Sequence, residues 1–179
     1  TVKARFATAT KNQAKSYYLV NSGNYVFGWD QLSDKAEYLV LCAGEKDTII
    51  FNHYFNKFGF YAICLGSEGA KLDDQFTKDL ISRFNGNVYS MLDNDDTGSK
   101  AMDRLEIEHN VRSIRLSNFV NDPKVFTDCT FVHGINKTVN DLADLVAYMG
   151  LDMAYIEHFI YNEIQSKDQL KNDRTDLSK

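Results

Sequence analysis

The sequence predicts an α/β fold: an open, Rossmann-like sheet of about four mainly parallel strands with helices on both faces, preceded by a small β-hairpin-rich lead-in. Three observations carry this prediction. Short apolar runs at 38–42 and 60–65 read as strands buried on both faces, and 88–92 and 111–116 read as a third and a fourth strand. Between them apolar residues return every three or four positions, the period of a helix with one buried face. Gly44, Gly66 and Asp93 stand where strand runs give way to loops. Strands alternating with helices imply parallel pairing through right-handed crossovers, and in such sheets ligands meet the loops at the carboxyl ends of the strands.

The first 34 residues form the lead-in. From Thr1 to Trp29 the charged side chains are Lys3, Arg5, Lys11 and Lys15, interleaved with Phe6, Tyr17, Tyr18, Tyr25, Phe27 and Trp29. Cations for phosphates and rings for stacking on bases suit single-stranded nucleic acid. The alternative is a β-rich segment whose rings face the core and whose lysines are solvated. Asn21 to Asn24 is a turn signal between two β-prone runs and predicts a hairpin that ends at Phe27-Gly28-Trp29.

Residues 35–117 hold the alternating pattern. After the run at 38–42, Gly44 interrupts, and Phe51, Tyr54, Phe55 and Phe58 follow at helical spacing until Gly59 supplies a stop. The run at 60–65 ends in Gly66, after which Asp73 can cap a helix carrying Phe76, Leu80 and Phe84 on one face. Asn85-Gly86-Asn87 breaks the chain before the third strand, which runs into an acidic loop and a helix through Ala101, Met102 and Leu105 to Asn110. The fourth strand covers 111–116.

The rhythm fails beyond Leu116. Residues 118–137 contain the chain's one proline, Pro123, and read as an insertion. Asn140 or Asp141 caps a short helix through Leu142, Leu145, Val146 and Met149 that stops at Gly150, completing a segment over 118–150. Over 151–179, an amphipathic helix at 153–164 leads into a polar tail from Ser166.

At 179 residues, 44% hydrophobic and 25% charged, the chain can bury one core. No apolar run approaches the ~20 residues that cross a bilayer, and the start lacks the zones of a signal peptide, so a soluble cytoplasmic protein is expected. A net charge of −5 and a pI near 5.3 argue against a surface that grips nucleic acid everywhere. Cys42, Cys64 and Cys129 support neither a disulfide framework nor a zinc site, and Cys42 and Cys64 read as small buried hydrophobes. His53, His109, His133 and His158 show no metal-ligand spacing, and Ser67 and Ser99 have no His and acidic partners for nucleophilic hydrolysis.

Chemistry concentrates at Asp93-Asn94-Asp95-Asp96-Thr97-Gly98. Carboxylates on a strand-end loop, with a glycine to admit a tight turn, suit Mg2+ or Mn2+, which prefer oxygen ligands and keep positions open for phosphate. The plainer reading is an Asx-rich turn that caps the next helix. An EF-hand is disfavoured: position twelve of the loop is Leu105 rather than Glu, and a buried strand precedes it.

Asp93-x-Asp95-x-x-Gly98 after a strand resembles the DxDxxG motif of Toprim domains. Leu41 to Asp47 is similar to the earlier Glu-Gly-x-x-Asp motif, and Leu65-Gly66 to a Leu-Gly found in bacterial primases and phage-type primase-helicases. Val26-Phe27-Gly28 resembles the turn closing the basic subdomain of those primases, and Asn140 to Asp144 their Lys-Asp-x-x-Glu segment. The resemblance spans about Tyr18 to Gly150.

It implies that Asp93 and Asp95 hold Mg2+, or Mn2+ in its place, with Asp141 a further ligand and Asp47 supporting the acidic site. Ala43 occupies the place of the family's Glu, the residue assigned general acid or base duty. Glu45 and Glu68 could replace it from the same sheet edge, or be surface carboxylates near helix N-termini. Lys100 could contact a phosphate.

The function implied is RNA primer synthesis on a single-stranded DNA template from nucleoside triphosphates, within a primase or primase-helicase, with Lys3, Arg5, Lys11 and Lys15 on the template. The alternative is a degenerate Toprim module that binds nucleic acid or acts as a scaffold beside a replicative helicase. Toprim nucleases and topoisomerases rank lower, the latter because no companion domain with a nucleophilic tyrosine is visible.

Overall fold

A computed structural model of the chain describes residues 2–5, 16–20, 26–65, 74–120, 139–148 and 153–176. Two sheets are present among them. Strands β1 (Val2–Arg5) and β2 (Ser16–Val20) form an antiparallel ladder of their own. The main sheet contains β3 (Val26–Phe27), β4 (Tyr38–Cys42), β5 (Phe60–Leu65), β6 (Val88–Met91) and β7 (Arg112–Ser113), in the order β3-β5-β4-β6-β7.

This sheet is mixed, in place of the expected four mainly parallel strands. β5, β4, β6 and β7 pair in parallel, whereas β3 runs antiparallel along the outer edge of β5. The expected hairpin is also replaced. β2 pairs with β1, and β3 pairs with β5 through Val26↔Leu65 and Phe27↔Cys64. A two-residue strand carries too little pattern to reveal its partner. Its end is set by Gly28, whose φ of +85° only glycine adopts cheaply and whose added Cβ would lie 2.9 Å from the Ala62 carbonyl oxygen. Beyond that point the Asn52 side chain bonds both Ala62 backbone groups, accepting from its N–H at 2.6 Å and donating to its C=O at 3.0 Å.

Helices α1 (Glu45–Phe55), α2 (Asp74–Arg83) and α3 (Asp96–His109) make the crossovers. The strands alternate strictly between two cores, because successive side chains leave opposite faces. Val40, Cys42, Phe60, Ala62, Cys64, Tyr89 and Met91 pack with Phe51 and Phe55 of α1. Leu39, Leu41, Ile63 and Val88 pack with Leu80 and Phe84 from the α2 side and with Met102 and Leu105 of α3. Both faces are therefore covered. Cys42 and Cys64 stand side by side in register, both buried as the sequence suggests; burial, then the charges of Asp47 and Cys64, push the Cys42 thiol up.

Beyond β7 come α4 (Leu116–Val120), α5 (Leu142–Tyr148) and α6 (Met153–Asp176). Leu142 and Leu145 of α5 and Ile156, Ile160 and Ile164 of α6 join the α1 core. With Phe159 packed against the same cluster, the stripe falls at steps of 3, 4 and 8 from Ile156, the helical spacing that makes this segment legible as amphipathic. Its polar continuation, read as a tail from Ser166, stays helical to Asp176, since it contains no Gly or Pro to stop it. Among the described residues, no helix is long and apolar enough to cross a membrane.

Candidate active site at the carboxyl edge of the sheet

The strand order creates a switch point. From β4 the chain passes through α1 to β5 on one side; from β5 it returns through α2 to β6 on the other side of β4. The α1 and α2/α3 connections lie on opposite faces, so the loops after β4 and β6 diverge at their carboxyl ends, the place where open α/β sheets bind ligands. Ala43 to Asp47 stand on one side of it and Asp93 to Gly98 on the other.

The acidic loop begins directly after β6. Asp95 is the N-cap of α3: its Oδ1 accepts from the backbone N–H groups of Thr97 and Gly98, each at 2.8 Å. The capping reading of this residue is thus realised, and it leaves Asp95 exposed. Gly98 explains the motif's spacing. A Cβ there would fall 2.1 Å from the backbone oxygen of Asp93, so the start of α3 can approach the end of β6 only without a side chain. Asp93 is half-buried and accepts from the Asn140 side-chain amide at 3.1 Å.

The stretch from Val139 to Asp144 closes over the same edge. Asn94 donates its backbone N–H to the Asn140 carbonyl at 2.6 Å and its side-chain amide to the Val139 carbonyl at 3.3 Å. Asp141 caps α5, its Oδ1 accepting from the Asp144 N–H at 2.6 Å, and its Oδ2 meets Lys46 Nζ at 3.2 Å. Asp47, in the first turn of α1, reaches across to accept from the Ala143 N–H at 3.0 Å.

Asp47 is the most buried carboxylate of the group. It is 4% exposed, and its pKa is pushed up to about 6, first by burial and then by the negative charge of Asp141. The hydrogen bonds from Ala143 and its own backbone, together with Lys46, act in the opposite direction without cancelling the rise. A carboxyl of this kind changes protonation near neutral pH, where a general acid or base must work.

Backbone and side-chain ties therefore bring three separate parts of the chain to one edge: the start of α1 with Asp47, the loop with Asp93 and Asp95, and the start of α5 with Asp141. Glu45 opens α1 and is partly exposed. Ala43 packs against the α2/α3 core. Lys100 is exposed on α3. Glu68, Lys11 and Lys15 lie outside the described residues; Lys3 and Arg5 belong to β1, away from the main sheet's pairing. The sequence marks Asn94 and Asn140 only as members of the acidic loop and of a helix start, and it does not mark Lys46; asparagines in loops give no signal beyond turn formation.

Among the described residues, no three Asp, Glu, His or Cys side chains are grouped closely enough to hold a metal ion by themselves. A cage built from protein alone does not fit. Mg2+ also binds through one or two carboxylates, with water and phosphate oxygens completing its shell; the carboxylates this loop offers are those of Asp93 and Asp95. No protein-family model, curated protein or solved structure matches the chain.

Proposed function

We propose that the chain is a Toprim-type domain that carries out metal-dependent nucleotidyl transfer, making RNA primers on single-stranded DNA. The observation that supports this most is that the start of α5, which carries Asp141, is tied to both Asp93 and Asp47 at the carboxyl edge of the sheet, beside the switch point between β4 and β6. Asp93 and Asp95 would hold Mg2+ or Mn2+, which supplies positive charge for the phosphates of an incoming nucleoside triphosphate. Asp47, with its raised pKa, is the group best suited to hold or pass a proton, and Glu45 is a second. The cations of the lead-in would follow the template backbone. The domain would act in the cytoplasm beside a replicative helicase.

A second reading, the degenerate module, is favoured by Ala43. Its methyl group stands where the resembling motif has Glu and packs on the core; it cannot move a proton.

Primer synthesis on single-stranded DNA with nucleoside triphosphates and Mg2+ separates the two. Wild type is expected to be active and Asp95→Asn inactive, although Asn preserves the helix cap. An inactive wild type that gains activity as Ala43→Glu would establish the degenerate reading instead. Full activity in Asp95→Asn would remove that carboxylate from the metal site.

A further inference from the structure

Trp29 is the chain's one tryptophan, and it is 39% exposed. It opens a single 3-10 turn, Trp29–Gln31, immediately after Gly28. The cramped backbone of Gly28 against β5, and hydrogen bonds from Gln31 N–H to Gly28 O and from Leu32 N–H to Trp29 O, fix where the indole stands. It lies along α2. The Phe76 ring is 5.6 Å away, centroid to centroid, and the Arg83 guanidinium carbon is 5.3 Å from the indole centroid. Phe76 and Arg83 are seven residues apart on one face of that helix, about 10 Å along its axis.

Arg83 is exposed at the last turn of α2. Its guanidinium also lies 5.6 Å from the Phe84 ring, so it is held between two aromatic faces. Among the described residues it has no carboxylate partner. The nearby Asp79 is engaged by Gln75 at 2.8 Å. A partly exposed indole beside a guanidinium that no described carboxylate pairs with offers one surface for a base and one charge for a phosphate. That pairing is how proteins hold single strands without reading sequence.

We infer that Trp29, Phe76 and Arg83 form a stacking platform for a base of single-stranded DNA, with Arg83 meeting an adjacent phosphate. The inference rests on the nucleic-acid part of the function proposed above and assigns that binding to residues outside the lead-in's cations. Trp29 already packs against Phe76 and Arg83 without a ligand, so a stacked base would lose little to ordering of the protein. The platform tolerates any base, because every base has a π-face.

The test uses the whole chain and a short labelled oligothymidylate. Because Trp29 supplies all tryptophan emission, its fluorescence reports this surface alone, while the label's anisotropy reports binding anywhere. The expected result is saturable quenching of Trp29 in step with the anisotropy rise, and little quenching by an abasic strand of equal length. Trp29→Leu, which keeps apolar cover over Phe76, should weaken binding by roughly 5- to 150-fold, the span one stacked base supplies. Arg83→Gln should lower the salt slope of log K by about 0.7, as for one phosphate contact on a single strand.

Binding by anisotropy with unchanged tryptophan emission and full affinity in Trp29→Leu would overturn the platform and leave template binding standing. Equal quenching by the abasic strand, or equal affinity for a duplex, would overturn base stacking. Absence of binding by both signals would overturn the platform and the template-binding part of the proposed function together. Nucleotidyl transfer itself is tested separately at Asp95.

Discussion

Replacing Asp47 with Asn should stabilise the protein at alkaline pH, although it removes a well-placed acid from the core. The Ala143 N–H still finds an acceptor in the Asn carbonyl, while the charge that burial and Asp141 disfavour is gone. A rise from the ordinary 3.8 to about 6, at about 1.4 kcal/mol per tenfold change in proton affinity, corresponds to about 3 kcal/mol. The sign follows from the two states. Below pH 3.8 the carboxyl is protonated in both the folded and the unfolded chain, and no penalty exists. As pH rises through about 6 the unfolded chain ionises freely and the fold must ionise a desolvated group, so stability is lost across that window and the full cost is present above it.

Urea unfolding followed by circular dichroism, with chelator present and pH stepped from 4 to 8, measures this directly. Asp47→Asn should exceed wild type by up to about 3 kcal/mol at pH 8, or about 5–10 °C in Tm, with the gap closing by pH 4. A variant less stable than wild type at pH 8, or a gap that does not change with pH, would refute the reasoning. The confirmed result would have a functional meaning: a carboxylate kept where it destabilises the fold is the pattern expected of a site residue.

Three further outcomes follow from the geometry. Gly98→Ala drives a methyl group into the Asp93 backbone and should cost about 3 kcal/mol or more, read as a lowered urea midpoint with an unchanged m-value. Asp95→Ala should cost about 0.5–2 kcal/mol through loss of the α3 cap, while Asp95→Ser restores stability without restoring activity. Asn52→Ala strips partners from the N–H and C=O of Ala62 and should cost about 2–4 kcal/mol, with faster amide exchange at Ala62.

The middle of the fold was legible because its signals are local. β4 and β5 occupy the apolar runs at 38–42 and 60–65, and β6 ends one residue before the run does. Long apolar runs bounded by glycine or Asx residues have few alternatives to a buried strand. The fourth run is different: Ile114 and Leu116 are buried as the pattern suggests, yet the ladder covers only Arg112–Ser113. Burial is written in composition, whereas pairing depends on where a neighbouring strand ends. The partners of β2 and β3 escaped for the same reason.

The acidic site was legible as a set of residues and not as a set of tasks. Asp95 and Asp141 both cap helices, a duty that spacing alone does not separate from ion binding. Asp47 looks in sequence like any acid in a first helical turn; its burial comes from α5, nearly a hundred residues later. Asn140 gained its importance only from its distance to Asp93 in space.

Both margins of the main sheet are two residues long, β3 at one side and β7 at the other. An unpaired strand edge is a template on which another chain can extend the sheet. Here the exposed template is almost absent, and where β5 outruns β3 the Asn52 amide occupies the vacant hydrogen-bonding positions at Ala62. Asn52 thus acts as a stopper against strand addition, so its removal should open a route to self-association as well as weaken the fold.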